Sequence, residues 1–172
     1  MLEATSLGAK VFAICTVLLY FKFIVTARFQ AHSTLAAGGR PPEDDMLGKL
    51  AKGEPPKQTY GLMIDVHADE QENADAKAKR EAALINDMRW KRIVANDLES
   101  IPLALAVYGA GLVVESYEHV QVVAIIIYTI TRFLHSYTYA KGIQPWRSIV
   151  WIVGLLAIVV GAVNIIVSVI AK

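Results

Sequence analysis

A chain of 172 residues that is 55% hydrophobic, carries a net charge of +1 and has a mean hydropathy of +0.41 is too apolar for a soluble domain, which has more charge and shorter apolar runs. The near-neutral balance excludes a dedicated nucleic-acid binder, because phosphate binding needs a basic surface. One cysteine, Cys15, excludes an intrachain disulfide, and its place inside an apolar run marks it as a small packing residue rather than a reactive thiol.

The first apolar block runs from about Leu7 to Arg28 and continues towards Leu35. A spanning helix needs about 20 residues at ~1.5 Å each, so the block suffices. Val11 to Tyr20 has the look of a signal peptide. Against that, Glu3 makes a poor charged lead, the apolar run resumes after Lys22, and no small-residue cleavage site follows; a permanent helix is expected. Lys22 must snorkel to an interface or face protein.

From Arg28 to about Ala74 the chain turns polar. Gly38, Gly39, Pro41, Pro42, Gly53, Pro55 and Pro56 break helices there, which predicts a long loop over about 36–74. From Asp75, AKAKREAALINDMRWKR is rich in helix formers and flows into the next apolar block, predicting one helix over about 75–114. Its uncharged part, Ser100 to Val114, is too short to cross ~30 Å of hydrocarbon. Arg92, Asn96, Asp97 and Glu99 are therefore drawn at least to the membrane boundary, with Pro102 breaking the hydrogen-bond ladder beyond them.

A short connection, Glu115 to His119, leads to a third span over about 120–140, which contains Arg132 and His135. The link KGIQPWR leads to a fourth over about 148–171, uncharged, with Asn164 and Ser168 as its polar residues. The loop after span one and the link after span three hold nearly all the Lys and Arg, so both are expected to face the cytoplasm. Four spans satisfy that parity. The expected fold is all-α, an integral membrane four-helix bundle in a single domain over 1–172.

Arg89, Arg92, Asn96 and Glu99 are spaced three, four and three apart, which places them in one stripe at ~100° per residue. Arg132, His135 and Tyr139 form a second stripe, and Pro145-Trp146-Arg147-Ser148 opens span four. All three features lie at the cytoplasmic ends of their helices. Charges inside a bilayer cost a few kcal/mol each, so partners are expected: Glu99 with Arg132 or Arg92, or a structural ion pair of Arg132 with Asp97 or Glu99. Arg89 and Lys91 read as interfacial anchors. The remaining cations and donors suit an anionic ligand from the cytoplasmic side, with free N–H groups at the start of span four as a further anion site. No Cys or acidic partner stands at ligand spacing, so no metal is expected.

RWKRIVANDLESIPLAL, RFLHSYTY and QPWRS resemble the signature segments of the MAPEG family, the membrane-associated proteins in eicosanoid and glutathione metabolism. The likeness is strongest to its type-1 microsomal glutathione transferase and microsomal prostaglandin E synthase branches. It rests on Arg-x-x-Arg-x-x-x-Asn-Asp-x-Glu and on Arg-x-x-His-x-x-x-Tyr followed by Arg147-Ser148, with a weaker echo at Pro42-Glu43-Asp44. The resemblance implies a homotrimer that binds glutathione between subunits, as co-substrate, through Arg92, Asn96, Glu99, His135, Tyr139, Arg147 and Ser148. It further implies that Arg147 stabilises the glutathione thiolate, with Ser148 beside it, and that Asp44 stands where an acidic residue acts in the prostaglandin synthase. The chain departs from the pattern at Ile93-Val94-Ala95, at Trp151 and in the length between Asp45 and Asp87.

These departures favour a general glutathione transferase acting on lipophilic electrophiles, extended to peroxidase activity on lipid hydroperoxides, over an eicosanoid isomerase. A non-enzymatic lipid-binding protein leaves Arg147 unexplained, and an ion or proton pathway leaves Arg147 and Ser148 unexplained. The family implies the endoplasmic reticulum membrane, or the inner membrane of a bacterium, with the site towards the cytoplasm.

Overall fold

The structure, a computed structural model, describes residues 6–46, 56–61 and 74–171. Most of the expected loop over 36–74 thus lies outside the described residues. Among the described residues four long helices follow in order: α1 (Leu7–Ala36), α2 (Ala74–Val113), α3 (Glu118–Lys141) and α4 (Trp146–Ala171), with a 3-10 turn at Pro42–Asp44. No strand occurs among the described residues. Helices α1, α3 and α4 are long and apolar enough to cross a membrane. Helix α2 carries charges as far as Glu99 and runs on through Pro102.

Local chemistry sets the helix ends. Ser6 caps α1, its Oγ accepting from the Ala9 N–H at 3.1 Å. Three helices stop in the same way, with a left-handed residue whose amide bonds back to the penultimate turn. At the end of α3, Gly142 (φ 68) takes that place, the Gly142 N–H reaching Tyr139 O at 3.1 Å and the Ile143 N–H reaching Thr138 O at 2.9 Å. Gly38 does the same for α1. At the end of α2 the left-handed residue is Glu115 (φ 50), a side chain where glycine is the usual solution.

The chain forms two compact units, Met1–Val25 with Ala95–Lys172, and Thr26–Val94. The first is a bundle of the four helical segments. Cys15 and Leu19 of α1, Ile101, Ala104 and Tyr108 of α2, Ala124, Ile125 and Tyr128 of α3, and Ala157 of α4 make one buried cluster. Each set follows helical spacing, so each helix turns one stripe inwards. On α4 that stripe is Gly154, Ala157, Gly161, Asn164 and Ser168. Small residues there admit large neighbours: a Cβ added to Gly161 would stand 2.7 Å from Tyr108 Cε1, and one added to Gly154 would stand 2.9 Å from Thr131 Oγ1. The outer faces keep Ile14, Phe21, Leu155, Val163 and Ile170 exposed, more apolar surface than a water-soluble monomer leaves open.

Polar groups tie the end of this bundle that holds the α2–α3 connection. Glu118 accepts from the Gly8 N–H at 2.7 Å, which links the starts of α1 and α3. Asn164 donates to Tyr117 O at 3.1 Å, and Ser168 Oγ accepts from the Tyr117 N–H at 3.3 Å. Gln121 donates to the carbonyl of Tyr108. In hydrocarbon such bonds replace the water a backbone group would otherwise need.

In the second unit Phe29 stacks on Trp90 at 4.8 Å, and the buried Asp87 accepts from Thr34 Oγ1 at 2.6 Å and pairs with Lys91 at 2.7 Å. Buried Gln58 closes the turn after α1, donating to Leu35 O at 3.0 Å and Pro56 O at 2.8 Å and accepting from the Arg40 N–H at 3.1 Å.

Candidate functional site

Within the first unit the site begins where α2 and α3 meet. Arg132 of α3 is 1% exposed. Its Nη1 donates to Asn96 Oδ1 of α2 at 2.7 Å, and its guanidinium lies 5.7 Å from the Tyr128 ring centroid. Tyr128 shares a hydrogen bond with Ser100 at 2.9 Å. Asp97, also buried, forms an ion pair with Lys22 of α1 and stands in electrostatic range of Arg132. One buried carboxylate and two buried basic side chains are thus packed inside the bundle.

One turn further along α3 the site opens. His135 is buried and meets the Tyr139 ring edge-on at 5.7 Å. The Arg147 guanidinium of α4 lies 4.6 Å from the centroid of that same ring. With the Gln144 amide turned to satisfy both groups, its oxygen accepts from Arg147 Nε at 3.0 Å. Arg147 is half-buried and Ser148 exposed. His135, Tyr139 and Arg147 therefore stand in a row, and the cation sits at the accessible end. Among the described residues, Arg132 Nε and His135 Nδ1 are buried without a hydrogen-bond partner.

Several sequence expectations are corrected here. Three N–H groups in the first turn of α4 are not free: Arg147 N bonds Ile143 O at 3.2 Å, and Ser148 N and Ile149 N bond Pro145 O at 3.0 and 3.3 Å. The turn before the helix supplies those carbonyls, so the arginine side chain, and not the helix terminus, is left to meet an anion. Glu99 pairs with neither Arg132 nor Arg92; it is exposed and makes no ion pair among the described residues. Asp97 and Glu99 lie about 200° apart around a helix of 3.6 residues per turn, so burying one turns the other outwards. Asp97 pairs with Lys22, and Arg132 donates to Asn96.

The structure brings Asn96, Asp97, Arg132, His135, Tyr139 and Arg147 into one bundle, with Glu99 and Ser148 at its surface. Arg92 and Asp44 belong to the second unit. Arg92 is exposed there, and Asp44 forms an ion pair with Arg40 at 3.1 Å. Sequence reasoning left Ser100 and Tyr128 out of the site and left Lys22 without a named partner. The signal that could have found the last is the lysine itself: a charge within an apolar span needs a countercharge, and Asp97 and Glu99 are the acids beside the next one. A groove of about 330 Å³ also opens between α1 and α2, lined by Leu19, Phe23, Leu98, Ile101 and Pro102 with Asp97 at its side.

Four long helices with outward apolar faces, three of them long and apolar enough to cross a membrane, define a multi-pass integral membrane protein. The family model described as the MAPEG family matches residues 9–167, and the chain belongs to that family, whose members serve glutathione and eicosanoid metabolism in membranes. No curated protein and no solved structure matches the chain.

Proposed function

We propose that the protein is a membrane-bound glutathione transferase that conjugates glutathione to lipophilic electrophiles, with peroxidase activity on lipid hydroperoxides by the same activated thiol. The observation that carries this reading is the Arg147 guanidinium held against the Tyr139 ring at 4.6 Å, at the accessible end of the row that begins with buried His135. Glutathione brings two carboxylates, an ammonium and a thiol that is a weak nucleophile until ionised. Arg147 supplies a permanent cation beside the sulfur, which favours the thiolate, and Ser148 donates a hydrogen bond to it. Asn96, His135 and Tyr139 offer donors to the carboxylates and the peptide carbonyls, and exposed Glu99 suits the ammonium; Arg92 enters this reading by the family resemblance alone.

The reaction is a displacement. The thiol proton leaves to solvent, the sulfur forms a bond to the electrophilic carbon, and the leaving group departs with its bonding pair. The apolar second substrate arrives from the bilayer, and glutathione from the cytoplasm. The assembly in this reading is a homotrimer in the endoplasmic reticulum membrane. The likeness to the glutathione transferase and prostaglandin E synthase branches, the former favoured by the departures at Ile93-Val94-Ala95, belongs to the same proposal. The test is the ultraviolet difference spectrum of the purified protein with glutathione, in wild type and Arg147→Ala. Thiolate absorbance at neutral pH in the wild type alone supports the reading; bound glutathione without thiolate turns it towards a binding protein. Isomerised eicosanoid without any conjugate would replace the transferase by an isomerase.

A further inference from the structure

The ion pair of Lys22 and Asp97 includes no residue that the resemblance assigns to ligand contact. We propose that Lys22 is a positioning residue for the glutathione site, acting through Asp97 on the adjacent Asn96; the inference rests on the glutathione reading above. Lys22 is 4% exposed and Asp97 is 1% exposed, and the two are direct partners. A carboxylate buried among apolar helices holds on to a strong partner such as this one, because the alternative is an uncompensated charge. Helix α2 therefore has one rotation about its axis that satisfies Asp97.

That rotation decides what its neighbours do. Asn96, about 100° back around the helix, meets Arg132, whose guanidinium has donors only. The Asn96 carbonyl oxygen is thereby committed to Arg132 at 2.7 Å. The amide cannot flip, and its NH2 is the group left to contact a ligand. Asn96 thus turns its NH2 donors to a ligand, which suits a carboxylate or a peptide carbonyl better than an ammonium. Glu99, about 200° beyond Asp97, is turned to the surface, where it offers the complementary acceptor. Lys22, with no place in the site, sets which ends of the ligand each of them takes.

A pair that only holds helices together can be replaced by apolar side chains without loss of function. A pair that fine-sets a rotation cannot, because apolar packing fixes which face of α2 turns inwards but tolerates the small rotations that would move the Asn96 amide. The experiment uses the full-length protein in nanodiscs and compares wild type, Lys22→Arg, Lys22→Met and the double variant Lys22→Met/Asp97→Leu. It measures glutathione affinity by calorimetry, thiolate absorbance per bound glutathione, and thermal unfolding. Lys22→Met and the double variant are expected to bind glutathione about tenfold more weakly. The double variant should regain the wild-type unfolding temperature, and Lys22→Arg should bind within about threefold of wild type. Thiolate per bound glutathione should stay constant, because Arg147 is untouched. Wild-type affinity in the double variant, or in a folded Lys22→Met, overturns the inference and leaves the reading of the site standing. If the double variant does not fold, a folded Lys22→Arg that binds as weakly as Lys22→Met overturns it too. No glutathione binding by the wild type sinks the reading of the site, and the inference with it.

Discussion

The guanidinium of Arg147 rests 4.6 Å from the centre of the Tyr139 ring, so the ring face and the neutral Gln144 amide, rather than a carboxylate, hold the cation in place. A carboxylate would spend the positive charge; an aromatic face leaves it available. Such contacts are worth about 0.5–2 kcal/mol. Tyr139→Phe keeps the face and is expected to raise the Kd for glutathione with kcat nearly unchanged. Tyr139→Ala removes the face and should lower kcat as well. Steady-state kinetics with glutathione and an aryl halide checks the split.

Arg147→Ala is expected to lower kcat by at least about a hundredfold, the usual cost of losing one group that stabilises developing negative charge, while the Kd for glutathione changes far less. Equal losses in both would mean an arginine that only binds.

Asp97→Ala strands Lys22 in the bundle, and removing one partner of a buried pair costs about 3–5 kcal/mol. A large fall in Tm, measured in the same detergent for both proteins, is the expected result. Glu99→Gln, by contrast, touches an exposed side chain without an ion pair among the described residues. It should leave stability within about 0.5 kcal/mol while weakening glutathione binding.

Two glycines on facing helices should respond with opposite signs. At Gly161 an added methyl would stand 2.7 Å from Tyr108 Cε1, and overpacking of that kind costs about 1–3 kcal/mol. At Gly109 the nearest atom is Phe12 Cζ at 3.7 Å, an ordinary contact. Gly109→Ala should therefore stabilise by about 0.5–1 kcal/mol through helix propensity. Thermal unfolding of the two variants side by side decides this.

The all-α membrane architecture was legible because apolar blocks long enough to span hydrocarbon admit few other folds. The inward stripe of α3 was legible too, since Arg132, His135 and Tyr139 recur at helical spacing. Partner choice was not. Spacing places Arg92, Asn96 and Glu99 within one sector of α2, but it is silent on which edge of that sector faces inwards. Asp97 settles the matter by turning to Lys22, a residue on another helix that no local pattern connects to it. The start of α4 was misread for a related reason. Proline before a helix signals its beginning, but whether the first amides stay free depends on how the preceding turn folds back, and here Ile143 and Pro145 supply the acceptors.

The 75 positions that separate Lys22 from Asp97 also order events during synthesis. At translation rates of about 5–20 residues per second, Lys22 leaves the ribosome about 4–15 s before Asp97 does. Through that interval a bare lysine in lipid carries a penalty of about 2.5–3.5 kcal/mol. The nascent first helix is therefore biased to wait at the insertion machinery or to sit shallow in the bilayer, and it gains its full depth when the second helix arrives with the aspartate.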